Sequence, residues 1–168
     1  MNGANTNEVK RHTLSVMVDN EPGVLARVSG LISGRGFNID SLSVAETIDP
    51  QVSLITLVTA GSPSIIEQII KQLRKLINVI KVVDLTETEF VERQLALIKV
   101  KTDLKTRAEV LRIVDIFRAK IVDVGARFYT LEVTGGEGKI KAILELLANF
   151  GVEEIVCTGR IAIARSKK

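Results

Sequence analysis

The same order of apolar patterns occurs twice along this chain of 168 residues. In each half, a short β-branched and apolar run precedes a stretch with helical spacing; two more such runs, a second helical stretch and a final run follow. Residue identities repeat as well, because Val58-Thr59-Ala60-Gly61 matches Val133-Thr134-Gly135-Gly136 at an offset of 75 positions. Self-similarity at a fixed offset predicts two copies of one structural unit, each with the element order β-α-β-β-α-β.

The first copy is expected at residues 12–85 and the second at residues 92–168. In the first, strands are predicted at 13–18, 38–45, 52–59 and 79–85, and helices begin at Val24 and at Pro63, with Ser62 as the N-cap of the latter. In the second, strands are predicted at 95–100, 119–124, 128–134 and 152–158, and helices at 106–117 and 138–150. Residues 161–164 are expected to extend the last strand.

This order predicts an α+β fold of two tandem ferredoxin-like sandwiches, with both helices of each unit on one face of a four-stranded sheet. The opposite face must then be polar, or must be covered by another sheet or by a partner. Residues 1–11 are expected to form a flexible tail, and residues 86–91 a linker. Units of roughly 75 residues have marginal cores, so we also expect dimerisation through sheet edges or faces.

Composition argues against a nucleic-acid partner. Aromatic residues make up only 4% of the chain and Trp is absent, so the core must consist of Ile, Val and Leu, and base-stacking platforms are disfavoured. The formal net charge is +3, and Arg165, Lys167 and Lys168 at the C-terminus account for it. The body of the chain is neutral and predicts no phosphate-binding face.

The chain contains one cysteine, Cys157, and one histidine, His12. An intrachain disulfide and a zinc site of His and Cys ligands are therefore excluded, and a catalytic triad would need His12 as its base. Cys157 lies in an apolar run and is expected in the core. No other residues have the pattern of a nucleophile and its base, so we expect no active site. No apolar run has the length of a membrane span or leader, which predicts a cytoplasmic protein without membrane contact.

The turn 19–23 is the first candidate for binding. Backbone N–H groups at a helix start lack intrahelical partners and lie at the positive end of the helix dipole, which favours a small carboxylate or phosphate. Pro22 presets the turn, Gly23 permits a close approach to the backbone, and the amide of Asn20 can both accept and donate hydrogen bonds. An α-amino acid would satisfy all of these groups. The alternative is that Asn20 only caps the helix.

Asn38, in Arg35-Gly36-Phe37-Asn38-Ile39, is the second candidate. A helix end at Gly36 followed by a strand explains Gly36 and Phe37, but Asn is depleted in strands. Asn38 therefore either contacts a ligand or belongs to the turn. The glycines in Gly135-Gly136-Glu137-Gly138 have no Gly-Lys-Ser/Thr ending, so we interpret this run as a strand-to-helix turn rather than a phosphate loop.

The chain resembles ACT-domain proteins, and over residues 12–165 it resembles the regulatory small subunits of acetohydroxyacid synthase, also called acetolactate synthase. The segments that carry the resemblance follow each other in order along the chain. They are 14–28, 35–42 with Arg35-Gly36-Phe37-Asn38-Ile39, 72–85, 92–100 with Glu92-Arg93-Gln94-Leu95, 117–124 and the final Gly159-Arg160. The long leading segment and Gln94, where an acid is expected, are small departures.

The resemblance implies a non-catalytic subunit that activates a catalytic large subunit and confers feedback inhibition by a branched-chain amino acid, most often valine, with leucine or isoleucine as alternatives. Thiamine diphosphate, Mg²⁺ and FAD are expected on the large subunit and no cofactor on this chain. The resemblance also implies a homodimer through the first, ACT-type unit, with the effector at the interface.

The effector contacts implied by the resemblance come from two segments. Asn20, Gly23, Val24 and Leu25 would contact the effector from one subunit, and Asn38 and Ile39 from the other. The second unit has Thr102-Asp103-Leu104-Lys105-Thr106 in place of the Asn-x-x-Gly turn, so no equivalent site is expected there.

Two other classes of function stay open at this stage. A stand-alone amino-acid sensor would use the same turn with a different partner, and co-purification with a large catalytic subunit distinguishes the two. A ferredoxin-like nucleic-acid binder would need exposed aromatics on the middle strands, and a steep salt dependence of RNA binding would reveal it.

Overall fold

A computed structural model describes residues 8–166 and divides the chain into two compact units. The first unit contains the residues up to Val91 together with those from Gly159 onward, and the second contains Glu92–Thr158. The predicted tail ends earlier than expected, because Lys10 and Arg11 already belong to the first strand. Residues 1–7 lie outside the described part.

The first unit has the predicted order of elements. Its strands are β1 (Lys10–Asp19), β2 (Ser41–Glu46), β3 (Val52–Gly61) and β4 (Val79–Asp84), and its helices are α1 (Val24–Ser33) and α2 (Pro63–Leu73). The strands form an antiparallel sheet in the order β2-β3-β1-β4. Ser62 is the N-cap of α2 and Pro63 follows it, as predicted.

The core of this unit lies between the helices and one face of the sheet. Alternate residues of β1, Leu14, Val16 and Val18, are buried, because side chains along a strand point to opposite faces. Val28 of α1 and Ile69 of α2 are fully buried against them. The spacing of three and four residues in both helices therefore buries one stripe each, as the sequence predicts.

The second unit repeats this architecture. Its strands are β5 (Phe90–Lys101), β6 (Lys120–Val124), β7 (Phe128–Gly135) and β8 (Val152–Cys157), and its helices are α3 (Arg107–Ile116) and α4 (Glu137–Leu147). Sheet order is β6-β7-β5-β8, and Ile98, Leu131 and Ile143 are fully buried in a separate core. The fold is confirmed as two ferredoxin-like units in tandem.

Two of the predicted boundaries are wrong. Residues 86–91 do not form a free linker, because a short helical turn, Leu85–Glu87, is held to β1 where the Thr13 N–H donates to the Thr86 hydroxyl at 2.8 Å. Residues 161–164 do not extend β8 but form a separate strand, β9 (Ile161–Ala164), which pairs with β5 and is grouped with the first unit. Contact with the helix-free face of the first sheet is the physical reason, because Ala162 of β9 lines one groove there with Thr56 and another with Met17.

Cys157 is exposed rather than buried, so its prediction is wrong. It ends β8, an edge strand, where neighbouring strands cover only one side. Its run of apolar neighbours misled the prediction, because Ile155 and Val156 of the same strand are also exposed.

Within residues 8–166, no helix is long and apolar enough to span a bilayer.

Candidate functional site

Gly23 starts α1 in a backbone conformation that favours glycine. Its φ is +85°, in the left-handed region, and a β-carbon built there would contact nothing within 4 Å. No side chain caps this helix start, so the alternative in which Asn20 is the cap is wrong. In this first turn the N–H of Val24 donates to the Glu21 carbonyl and that of Arg27 to the Gly23 carbonyl. The N–H groups of Leu25 and Ala26 have no capping side chain.

The side chain of Asn20 is held beside this helix start by three groups. Its amide nitrogen donates to Oε1 of Glu46 at 3.1 Å and to the carbonyl oxygen of Pro50 at 2.9 Å. Its amide oxygen accepts from the hydroxyl of Ser53 at 3.1 Å. The backbone N–H of Asn20 donates to the carbonyl of Gln51 at 2.7 Å. Asn20 is thus oriented by residues from β2, β3 and the loop between them.

A cavity of about 60 Å³ lies between this turn and strands β2 and β3. Both apolar side chains and polar residues line it, a combination that suits a small amphipathic molecule. The apolar side chains are Val18, Val24, Leu25, Val44 and Ile55, and the polar residues are Asp19, Asn20, Glu21 and Ser53. Val24 is buried, whereas Leu25 and Val44 are partly exposed at the rim.

Sequence reasoning did not identify Glu46 and Ser53 as members of this site. Glu46 looked like one of several scattered acids on a polar edge, and Ser53 is an unremarkable strand residue. Ser53 meets the site because β3 pairs with β1 in a register that sets Ser53 opposite Val18. No local pattern carries this information, since the two residues are far apart in the chain.

Asn38 and Ile39 lie at the other end of β3. The carbonyl of Asn38 accepts from the Thr59 hydroxyl at 2.7 Å, and its amide nitrogen donates to Asp40 at 2.8 Å. Asn38 is exposed and Ile39 is half-buried. Because the backbone of Asn20 is bonded to Gln51 and that of Asn38 to Thr59, these two attachment points are about 26 Å apart along the strand at roughly 3.3 Å per residue.

One copy of the chain therefore brings together four of the six predicted effector residues. Asn20, Gly23, Val24 and Leu25 lie around the start of α1. A single small ligand cannot span from that group to Asn38 and Ile39 in the same chain. This separation agrees with the expectation that the two segments contact the effector from different subunits. That expectation stays a prediction, because the structure contains one subunit.

The corresponding turn of the second unit has a different chemistry. Thr102 occupies the position of Asn20, because its N–H donates to the Arg127 carbonyl at 2.8 Å as that of Asn20 does to Gln51. Asp103 accepts from the N–H and the hydroxyl of Thr106 and from the N–H of Lys105, and these bonds hold the pKa of Asp103 below its ordinary value. The carboxylate of Asp103 thus occupies the N–H groups of Lys105 and Thr106 just before α3, and it would repel a second carboxylate.

Arg107, the first residue of α3, stacks on Tyr129 of β7. Its guanidinium carbon lies 5.5 Å from the ring centre of Tyr129, within cation–π range. Tyr129 pairs with Val100 as Ser53 pairs with Val18. A large ring and a guanidinium thus occupy the place that a small hydroxyl leaves open in the first unit, which supports the prediction that no equivalent site exists.

His12 forms a buried pair with Asp84 rather than part of a catalytic group. Its Nδ1 lies 2.7 Å from Oδ2 of Asp84, whose Oδ1 accepts from the N–H of Thr86. The pair joins β1 to the turn that follows β4. In the part of the chain described, no three His, Cys, Asp or Glu side chains are grouped closely enough to hold a metal ion.

Two family models match the chain. An "AHAS small subunit-like ACT domain" model matches residues 14–81, and a "Small subunit of acetolactate synthase" model matches residues 93–166. Together they cover both units.

Curated relatives and solved structures agree with these models. The acetolactate synthase small subunit of Aquifex aeolicus is 52% identical over 94% of this chain and 83% of its own length. That of Mycolicibacterium smegmatis is 47% identical over 97% of this chain and 96% of its own. The crystal structure of the small subunit from Thermotoga maritima is 41% identical, covers 95% of this chain and 99% of its own, and superposes with a TM-score of 0.85.

Proposed function

The chain belongs to the acetolactate synthase small-subunit family, with an ACT domain as its first unit, and on that premise we propose that it is the regulatory, non-catalytic subunit of the enzyme. In this role it activates a catalytic large subunit and makes it sensitive to a branched-chain amino acid. One observation carries the proposal. An uncapped helix start at Gly23, an oriented Asn20 and an apolar cavity meet at one edge of the first sheet.

The polar groups of this site complement an α-amino acid. The uncapped N–H groups of α1 bind the carboxylate, since they lie at the positive end of the helix dipole. Glu46 and the amide oxygen of Asn20 accept from the ammonium group. Val18, Val24 and Ile55 line the cavity and contact the aliphatic side chain. Valine is the smallest branched-chain candidate for a cavity of about 60 Å³; leucine and isoleucine are the alternatives.

A homodimer completes the site. β2 is an edge strand whose last residues, Val44, Ala45 and Glu46, are exposed. If two copies pair antiparallel along β2, the end of one strand lies beside the start of the other. Asn38 and Ile39 of the partner subunit then approach the Asn20 turn. Within one chain, the attachment points of Asn20 and Asn38 on β3 are about 26 Å apart, as estimated from the rise of a strand. In the dimer, Asn38 of the partner subunit lies near Asn20 instead.

Regulation follows from differential affinity. An effector held between two subunits stabilises the arrangement that binds it best, and it can shift the equilibrium only by that difference. Valine therefore favours a dimer form that no longer activates the large subunit. Thiamine diphosphate, Mg²⁺ and FAD act on the large subunit, and we assign no residue of this chain to them.

Calorimetric titration of the full chain with L-valine tests the proposal, with D-valine as the control ligand. We expect saturable binding of the L form alone. A ligand of this size should bind with a free energy of about −5 to −7 kcal/mol, which corresponds to a dissociation constant of tens to hundreds of micromolar. Gly23→Asp places a carboxylate at the helix start and abolishes binding, whereas Gly138→Asp, in the first turn of α4 where a β-carbon meets no atom within 4 Å, leaves it unchanged.

Two results would overturn parts of the proposal. Full valine binding by Gly23→Asp would place the site elsewhere. If valine, leucine and isoleucine all fail to bind, with and without the large subunit, the feedback role is wrong. Co-purification of the chain with a large catalytic subunit tests the activating role separately, since a stand-alone sensor would not copurify with it.

A further inference from the structure

Residues 159–164, which we name the C-terminal strap, cross the face of the first sheet that carries no helices. Ala162 contributes to two grooves on this face, of about 540 and 310 Å³. One groove is lined by Ser43 and Thr56, and the other by Met17 and Val83. The strap therefore crosses the sheet between its two edges, and the N–H of Arg165 beyond it donates to the carbonyl of Glu89 at 2.8 Å.

Gly159 begins the strap in direct contact with the backbone of β2. A β-carbon built on Gly159 would overlap the carbonyl oxygen of Leu42 and would lie 2.9 Å from the backbone nitrogen of Ser43. No side chain fits in this space, so the close approach of two backbones requires glycine here. In contrast, β-carbons at Gly30 and Gly138 would meet nothing within 4 Å.

Arg160 ties the strap to the start of β2. Its backbone N–H donates to the hydroxyl of Ser41 at 2.8 Å, and its Nη1 donates to the hydroxyl of Thr13 at 3.3 Å. Ser41, Val58 and Thr13 are side by side on β2, β3 and β1. Thr13 and Val58 are almost fully buried although they lie on the face without helices. The strap thus fixes the first residue of β2 from above the sheet.

The predicted effector residues Asn38 and Ile39 immediately precede this anchor. Only Asp40 separates Ile39 from Ser41. The Arg11–Asp40 ion pair also holds this segment, but the Arg11 side chain is 55% exposed, so the pair contributes little. Because β2 is an edge strand with one neighbour in the sheet, the strap supplies a second set of contacts at its start.

We propose that Gly159 and Arg160 are positioning residues for the effector half-site at the start of β2, so that the C-terminal strap sets the affinity of the chain for its effector. This inference rests on the proposed function and deepens it. Thr158, which ends the second unit, is bonded to Leu95 of that unit and directly precedes Gly159. The chain therefore leaves the second unit directly into the strap.

Titration of full-length variants with L-valine tests this inference. Ser41→Ala removes only the hydroxyl that accepts from Arg160, and we expect the dissociation constant to rise about fivefold, the effect of one lost hydrogen bond. Ser41→Thr keeps a hydroxyl and restores most of the affinity. Ser43→Ala, two residues along on the same face, is the matched control and should leave the constant within about twofold of the wild type.

Gly159→Ala should weaken L-valine binding more than Ser41→Ala does, and Gly138→Ala is its control. We expect Gly159→Ala to weaken binding about tenfold or more, because the strap must lift from Leu42 to accept a methyl group. The thermal midpoint of each variant shows whether it is folded. If Gly159→Ala does not fold, the Ser41 variants decide the question.

The outcomes separate this inference from the proposed function. If Ser41→Ala and folded Gly159→Ala bind L-valine as the wild type does while Gly23→Asp does not bind, the strap only covers the sheet and the inference is wrong. If the wild type binds none of the three branched-chain amino acids, the proposed function fails first.

Discussion

The hydroxyl of Ser53 donates a hydrogen bond to the amide oxygen of Asn20 across 3.1 Å, joining the third strand to the turn that follows the first. Ser53 is only 6% exposed, so the bond is largely shielded from water. With its oxygen held by Ser53 and its nitrogen by Glu46 and Pro50, Asn20 has a defined amide orientation at the mouth of the cavity. The candidate effector site is thus built from pairing between strands as much as from the turn.

Ser53→Ala should weaken effector binding without preventing folding. Loss of the hydroxyl frees the Asn20 amide to rotate, and we expect the dissociation constant for L-valine to rise about fivefold, the effect of one hydrogen bond. Titration calorimetry measures this change, and Ser15→Ala on the opposite face of the sheet is the control. Equal affinity in wild type and Ser53→Ala would show that the orientation of Asn20 does not matter.

Val44→Lys should convert the proposed dimer to a monomer. Val44 is 44% exposed on the edge strand β2, and two lysines placed across a paired edge repel each other and resist desolvation. Sedimentation equilibrium measures the mass. Val124→Lys, on the edge strand β6 of the second unit, is the control and should leave the mass unchanged. A dimer that survives Val44→Lys but not Val124→Lys would place the interface in the second unit.

Ile69→Ala should cost about 2–5 kcal/mol of stability, as expected for removal of a large aliphatic side chain from a packed core. Ile69 is fully buried between α2 and the sheet. Ile77→Ala removes the same atoms from a site that is 93% exposed, and its effect should stay within about 0.5 kcal/mol. Urea denaturation at one fixed protein concentration compares them, since dimerisation makes stability concentration-dependent. Similar losses in both variants would contradict the assigned core.

Asp103 should make the second unit sensitive to acid. The hydrogen bonds that it accepts from Thr106 and Lys105 hold its pKa below the ordinary value, so the ionised form is favoured in the folded state. Its contribution to stability is complete above the unfolded-state pKa and is lost as the pH falls through the lower folded-state pKa. Thermal unfolding between pH 6 and roughly pH 2.5 should show a shallower decline for Asp103→Ala than for the wild type. Parallel curves would show that the capping carboxylate contributes nothing.

Cys157 should react with a thiol reagent in the folded protein. It is exposed at the end of an edge strand, although partial burial raises the pKa of its thiol. Because the thiolate is the reactive form, the rate should keep rising with pH above the ordinary thiol pKa. A chromogenic disulfide reagent without denaturant measures the rate. Reaction only after unfolding would restore the original expectation of a core cysteine.

Local sequence patterns determine most of the elements of this fold. A run rich in Leu, Val and Met predicted β1, and apolar residues at helical spacing predicted α2, because such local patterns can be read without the rest of the chain. Gly23 was also singled out, as a glycine that permits a close approach to the backbone, and the structure adds that its positive φ favours glycine. The repeat then predicted two units of the same topology, and the structure confirms it.

The predictions for residues 161–164 and for Cys157 were wrong, because both depend on which elements lie next to them in the folded chain. Residues 161–164 have the composition of a strand, but composition cannot say that this strand packs on the first unit. Cys157 looked buried because its neighbours are apolar, whereas its position in an edge strand leaves it exposed.

By itself, the sequence determined the order of elements, the two-unit organisation and the Asn20–Gly23 turn, because these depend on backbone preferences and on local periodicity. Only the tertiary structure decided that Ser53 and Glu46 hold Asn20, that Asn38 lies at the far end of β3, and that Gly159 returns to β2. Those relations depend on strand register and on contacts between residues distant in sequence. Strand register is set by which faces of the sheet are buried in the folded chain, so these relations cannot be predicted from any short segment of the sequence.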